Sequence, residues 1–230
     1  MKTSNPKHVA IILDGNRRFA KRLMLEPWKG HELGSKKIQE LLDYAKELDI
    51  KEMTFYALSV ENINSRPARE LNFLYKIFRE TFRDMNKDKM MKEGVKIRFI
   101  GDLDLLPDDL RKECLNLEKE TANNNNNLLV NFAVAYGGRQ ELIEAVRKII
   151  DKKVSGDEVT AELIEDNLYL SSEPDFIIRT GGEKRTSNFL LWQASYSEWF
   201  FLDKMWPEFT KEDLVRCIEE FKNRKRNFGK

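Results

Sequence analysis

The chain has 230 residues with 40 Lys and Arg against 39 Asp and Glu, a formal charge of +1. That balance gives no general attraction to nucleic acid, so any anion binding has to be local and no nucleic-acid partner is expected. The length suits one core, so a single domain over 1–230 is expected. Cys114 and Cys217 lack metal-ligand spacing and read as reduced structural thiols. With no signal-like apolar start, that points to a cytoplasmic protein. No stretch is long enough to span a bilayer. Contact with lipid is therefore expected to be peripheral, or made through a greasy substrate.

In chain order, His8 to Leu13 is a short apolar, β-branched run that predicts a buried parallel strand. It stops at Asp14-Gly15-Asn16, and a helical stretch follows. Ile38, Leu41, Leu42, Ala45 and Leu48 recur at helical spacing, and Met53 to Leu58 reads as a second strand. Strand, helix, strand argues for a βαβ unit in an α/β sheet. Pro67 can start a helix whose apolar face runs through Leu71, Leu74, Tyr75, Phe78, Phe82 and Met85, widened by Phe73 and Ile77 and ended by Gly94. Val95 to Ile100 predicts a strand and Pro107 to about Thr121 a helix. Asn123 to Asn127 predicts a loop, Leu128 to Ala135 a strand and Gln140 to Lys152 a helix. Thr160 caps a short helix to Asn167. Phe176 to Thr180 is a further strand, and Leu214, Ile218 and Phe221 mark a closing helix.

Three polar loops follow predicted strands. Asp14-Gly15-Asn16-Arg17-Arg18 lies between a strand end and a helix start, where unpaired N–H groups and the helix dipole favour an anion. Gly15 permits close approach, and the two arginines supply donors for phosphate oxygens. Taken alone, the pentapeptide reads better as an Asp-Gly turn with surface arginines. Arg179 to Asn188 also follows a strand, with two arginines around a flexible Gly181-Gly182 and the Ser187 hydroxyl. A charged surface hairpin is the alternative, but two basic loops at strand ends of one sheet favour a shared cleft. The third loop is Ser59 to Pro67. A capped helix entrance explains Ser65 and Pro67 but not Glu61 or Arg66. Glu198, beside the aromatic run Trp199-Phe200-Phe201, reads as a surface residue or a metal ligand. His31 follows Gly30 and can donate to a phosphate, whereas His8 reads as structural. Asp14 beside a diphosphate requires a divalent cation between them, which argues for Mg²⁺. No P-loop, Rossmann fingerprint, hydrolase triad or zinc grouping is present. Diphosphate at the mouth and hydrocarbon inside suit an isoprenoid substrate.

Over nearly its whole length the chain resembles the cis-prenyltransferases, the undecaprenyl diphosphate synthase family. The matching stretches are His8 to Phe19, Gly30-His31, Tyr56 to Ser59 with Glu61-Asn62, Arg66-Pro67, Asn131 to Arg139, Ile178 to Gln193, Trp206-Pro207 and Phe228-Gly229. The resemblance implies an α/β fold with a central, mostly parallel sheet flanked by helices, a hydrophobic tunnel and a homodimer. It implies Mg²⁺-dependent condensation of an allylic prenyl diphosphate with isopentenyl diphosphate, giving a cis-polyprenyl diphosphate and free diphosphate. By that pattern Gly15, Asn16, Arg17 and Arg18, with His31, hold the donor diphosphate, and Phe19 beside them is substrate-binding. Ser59, Val60, Glu61, Ile63 and Arg66 belong to the adjoining substrate segment, and Arg179, Arg185, Thr186 and Ser187 to the acceptor site. Asp14 and Glu198 serve the metal. Asn62 either removes the proton or positions a phosphate or water. Phe73, Ile77 and their neighbours line the tunnel.

Several positions depart from the pattern. Pro27 replaces a basic residue before Gly30-His31, Ile63 replaces an aromatic, Lys184 replaces a histidine, and Asn227-Phe228-Gly229 replaces Arg-x-Gly. These changes fall mainly on the acceptor side. They leave open transfer to the oxygen of a different acceptor, or a short-chain product.

Overall fold

The computed structural model describes residues 5–85, 90, 92–124 and 127–224. Asn125 and Asn126 of the predicted asparagine loop, and the terminal Asn227-Phe228-Gly229, lie outside the described residues.

Six strands form one sheet: β1 (His8–Ile12), β2 (Glu52–Ser59), β3 (Val95–Ile100), β4 (Leu128–Tyr136), β5 (Phe176–Arg179) and β6 (Glu198–Phe201). Their order is β3-β4-β2-β1-β5-β6, and every pairing is parallel. From β1 the chain moves to β2 and then to the edge strand β3, fills the gap between them with β4, and crosses to β1's other side with β5. The carboxyl ends of β1, β2 and β5 therefore flank the point where strand order switches, the usual ligand position in such sheets.

The strands are short apolar runs because both faces are covered. On β1, Val9 and Ile11 enter one core cluster while Ala10 and Ile12 enter the other. The larger cluster is capped by α2 (Pro27–Glu47), α4 (Ala68–Asp84), α5 (Asp108–Thr121) and α8 (Lys211–Asn223), through residues such as Leu41, Leu74, Leu110 and Leu214. The smaller cluster joins Tyr56, Tyr136, Leu170, Phe189 and Leu190. Cys114 and Cys217 are buried and free, as expected. His8 is structural, its Nε2 lying 2.8 Å from the Thr54 hydroxyl.

The remaining helices are α1 (Asn16–Arg22), α3 (Val60–Ser65), α6 (Gly138–Asp151) and α7 (Ala161–Glu165). Thr160 caps α7, its hydroxyl accepting from the Leu163 N–H. Two boundaries differ from the sequence reading. α4 stops at Asp84, and Gly94 instead turns the chain into β3 with φ 66°. The segment after β2 is itself a helix, α3, because the Ser59 hydroxyl accepts the Asn62 N–H and caps it.

Candidate active site

The loop after β1 is held from several sides. The Asp14 carbonyl accepts from the Thr180 hydroxyl at 2.7 Å and from the Trp206 N–H at 3.0 Å. Gly15 has φ 102°, and a Cβ there would lie 2.9 Å from Met205 Cβ. Helix α2 crosses α1 at two glycines. A Cβ on Gly30 would come within 1.9 Å of the Asn16 carbonyl oxygen, and one on Gly34 within 2.3 Å of Asn16 Oδ1. Gly30 thus lets His31 reach the Asp14 to Arg18 loop.

Arg179 ends β5 buried under the cleft. Its Nη2 donates to Asp14 Oδ2 at 2.8 Å, and its Nη1 donates to Ser187 Oγ at 2.7 Å and to the Arg185 carbonyl at 2.5 Å. One guanidinium therefore ties the Asp14 loop to the loop Arg179 to Asn188. Gly181-Gly182 is not flexible: its N–H groups donate to the carbonyls of Lys204 and Leu202, both at 2.8 Å. Ser187, Asn188 and Leu190 all have positive φ, a concentration of backbone strain of the kind found at functional sites. Asn188 offsets it by bonding to two helices, α3 and α6. Its Nδ2 donates to Glu61 Oε1 at 2.6 Å and Gln140 Oε1 at 3.1 Å, and its Oδ1 accepts from the Arg139 N–H at 2.9 Å. The Tyr56 hydroxyl donates to the Ser187 carbonyl at 3.3 Å, and its ring stacks on Phe189.

Between these loops and the helices lies a cavity of about 670 Å³. Arg17, Arg66, Arg179 and Arg185 line its polar end, while Leu58, Ile38, Leu74, Ile77 and Phe78 line its apolar depth. Six buried side-chain polar atoms among the described residues have no hydrogen-bond partner. Three of them, Asn16 Oδ1, Arg66 Nε and Arg179 Nε, belong to residues in this wall. Two unpaired, buried guanidinium donors suit an anion. Arg66 donates to Glu70 at 2.7 Å and lies 3.3 Å from His31 Nε2. Since arginine only donates, Nε2 accepts and the imidazole proton sits on Nδ1. Burial, then the charges of Arg66 and Arg17, push the His31 pKa down to about 3, so the ring is neutral.

Of the residues singled out from sequence, Asp14, Asn16, Arg17, His31, Ser59, Glu61, Asn62, Arg66, Arg179, Arg185 and Ser187 share this cavity. Gly15, Arg18, Phe19, Val60, Ile63 and Thr186 stand behind or beside it. Arg18 pairs with Asp14 at 3.3 Å, Phe19 packs under the Arg22 guanidinium, and Val60 is buried. Two of the expected residues stand apart from this cavity. Phe73 does not line the cavity, because Trp28 takes its ring at a centroid distance of 5.9 Å. Nor does the structure bring Glu198 to Asp14 within one chain. Parallel register places Glu198 opposite Phe176 at the start of β5, whereas Asp14 follows the other end of the strands. The separation along the strands is roughly 10 Å or more, and the Glu198 carboxylate is taken by Arg224. Pro27 is the first residue of α2, Ile63 packs on the core and Lys184 is exposed. Sequence reasoning did not single out Tyr56, Asn188 or Glu70 as site residues, although Tyr56 and Asn188 lay inside its matching stretches.

An arginine-lined mouth over an apolar cavity, at the carboxyl edge of a parallel sheet, defines a site for a substrate with an anionic head and a hydrocarbon tail. Residues 12–229 match the family model described as putative undecaprenyl diphosphate synthase, and the chain belongs to that family. It is an enzyme, a cis-prenyltransferase. A tritrans,polycis-undecaprenyl-diphosphate synthase (geranylgeranyl-diphosphate specific) of Pyrococcus horikoshii is 47% identical over 98% of this chain and 87% of its own. The enzyme of the same name from Methanopyrus kandleri is 45% identical over 98% and 85%. The crystal structure of lavandulyl diphosphate synthase from Lavandula x intermedia, in complex with dimethylallyl diphosphate, aligns with a TM-score of 0.92 at 33% identity, covering 98% of this chain and 99% of that one.

Proposed function

We propose that this cavity binds an allylic prenyl diphosphate, with geranylgeranyl diphosphate as the preferred primer, and extends it with isopentenyl diphosphate. The preference for that primer rests on the name of the Pyrococcus and Methanopyrus relatives. The observation that carries the reading is the cavity itself, with four arginines and two unpaired buried Nε–H donors at one end and aliphatic walls at the other. Its volume falls in the ordinary range for small-ligand pockets, roughly 300–1,000 Å³.

The donor diphosphate is held by Asn16, Arg17 and His31, with Arg66 alongside; Arg179, Arg185 and Ser187 hold the acceptor diphosphate. The allylic carbon–oxygen bond breaks and its electron pair leaves with the diphosphate. The acceptor's double bond attacks the freed carbon, and a proton leaves the adjacent acceptor carbon for a phosphate oxygen. Asn62 positions a phosphate or a water, since an amide is a poor base. Arginines fixed before the reaction stabilise the charge building on the leaving group.

The residues also fit a magnesium ion. Asp14 is a part-exposed carboxylate beside the arginines, and among the described residues no cluster of three His, Cys, Asp or Glu exists. That donor set suits Mg²⁺, which takes one or two carboxylates and completes its shell with phosphate oxygens. Bound there, it supplies charge neutralisation to the leaving diphosphate. A homodimer is part of the proposal, supported by the exposed apolar stripe Ile143, Val146 and Ile150 on α6. Incubation with Mg²⁺, isopentenyl diphosphate and several labelled allylic primers, read by mass spectrometry, should give ladders of added isoprene units that disappear on chelation. No elongation from any primer would sink the reading.

A further inference from the structure

The turn joining α1 to α2 is built in an unusual way. The Leu25 N–H donates to the Ala20 carbonyl and the Met24 N–H to the Lys21 carbonyl, closing the helix end with the bond pattern of a Schellman motif. The residue at the left-handed position of that motif is normally glycine. Here it is Met24, with φ 57°, and its side chain is 96% exposed between Leu23 and Leu25, themselves 48% and 43% exposed. A long apolar side chain thus sits where the backbone disfavours it and where nothing in the fold covers it. Its surroundings are basic. Residues 20–37, the tip with the turns of helix on either side, hold five basic residues against two acidic, with Arg22 and Lys29 paired to Glu208 and Glu32, in a chain whose net charge is +1. On α2, the exposed Leu33 lies one turn from Lys29 on one side and from Lys36 and Lys37 on the other.

We propose that the Leu23-Met24-Leu25 tip, with Lys21 and Lys36, docks on an anionic lipid bilayer. The apolar tip enters the interface while the lysines meet anionic headgroups. Both helices flanking the tip contribute to the cavity wall, so docking sets the site beside the phase in which a long prenyl chain is soluble. This placement rests on the prenyltransferase reading, but binding is measured without substrate and is judged separately from turnover.

The protein is sedimented with vesicles of phosphatidylcholine alone or mixed with phosphatidylglycerol. Binding to the mixed vesicles only, weakened about tenfold by Leu23→Ser/Met24→Gly/Leu25→Ser and also by high salt, is the expected result. Because glycine relieves the strained position, Met24→Gly alone should raise thermal stability while lowering binding. A purely structural Met24 would not move the two in opposite directions. Met24→Cys carrying an environment-sensitive dye should brighten on the mixed vesicles, and the same label at Asn116→Cys on α5 should not; Cys114 and Cys217 are buried and stay unlabelled. Diphosphate release from soluble substrates stays unchanged in the tip variants. No binding by the parent protein, equal binding by the triple variant, or equal brightening at both labels overturns the proposal. Loss of turnover in the parent overturns only the reaction reading.

Discussion

Gly30→Ala isolates the contact that seats His31 against the Asp14 to Arg18 loop. A Cβ at residue 30 would lie 1.9 Å from the Asn16 carbonyl oxygen, 2.6 Å from its carbon and 3.3 Å from Ala20 Cβ. The first two are backbone atoms, so no side chain can rotate away. Relief to 3.0 Å moves α2 and α1 apart by about 1.1 Å. Alanine in a helix interior gains about 1 kcal/mol over glycine, and overpacking costs about 1–3 kcal/mol. Net destabilisation is therefore small, about 0–2 kcal/mol by those terms. Turnover should suffer far more, because a displacement near 1 Å of positioned groups costs on the order of 100-fold. Steady-state diphosphate release and thermal unfolding measured side by side test this. Gly156→Ala, where a Cβ meets nothing within 4 Å, is the control and should leave both unchanged. If Gly30→Ala keeps its rate within about twofold, the loop does not depend on this helix crossing.

Arg179→Lys removes the fork that reaches Asp14, Ser187 and the Arg185 carbonyl together, and should lower kcat/KM about 100-fold while circular dichroism stays native. Asp14→Ala should abolish turnover in a folded protein, since Arg179 keeps its bonds to Ser187 and Arg185; an unaffected rate would remove Asp14 from the mechanism. The His31 pKa is lowered on folding from 6.5 to about 3, so between those values the unfolded chain binds more protons and stability rises with pH. His31→Gln should therefore flatten the acid side of the denaturation curve in that window, and an unchanged slope would refute the neutral, buried ring. Asn188→Ala loses the bonds to Glu61, Gln140 and the Arg139 N–H at a backbone φ of 61°. It should cost about 1–3 kcal/mol. Asn188→Gly should recover stability in chemical denaturation but not the rate.

Much of the site was legible because each buried strand ends abruptly in polar residues. Apolar β-branched runs stop at Asp14, Ser59 and Thr180, and parallel pairing brings those three ends to one edge. What was not legible depends on partners distant in sequence. Val60 to Ser65 has no strong helix propensity and is helical because Ser59 caps it against β2. Ser187 and Asn188 adopt left-handed conformations because Tyr56 and Arg139, far away in the chain, hold them there. Phe73 and Ile77 are neighbours on one helical face, yet Phe73 packs on Trp28 while Ile77 meets the cavity. Glu198 sits within an aromatic run whose register, not its composition, carries it to the far edge of the sheet.

The arginines around the cleft are already engaged before any substrate arrives. Arg179 and Arg18 rest on Asp14, Arg66 and Arg17 on Glu70, and Arg185 on Glu183. An incoming diphosphate must displace these resident counter-ions, so it gains only the difference between the two partnerships. Each departing diphosphate is likewise helped out by carboxylates waiting to resume their places. A protein that has to clear its mouth after every added unit benefits from a grip that is strong in geometry yet shallow in free energy.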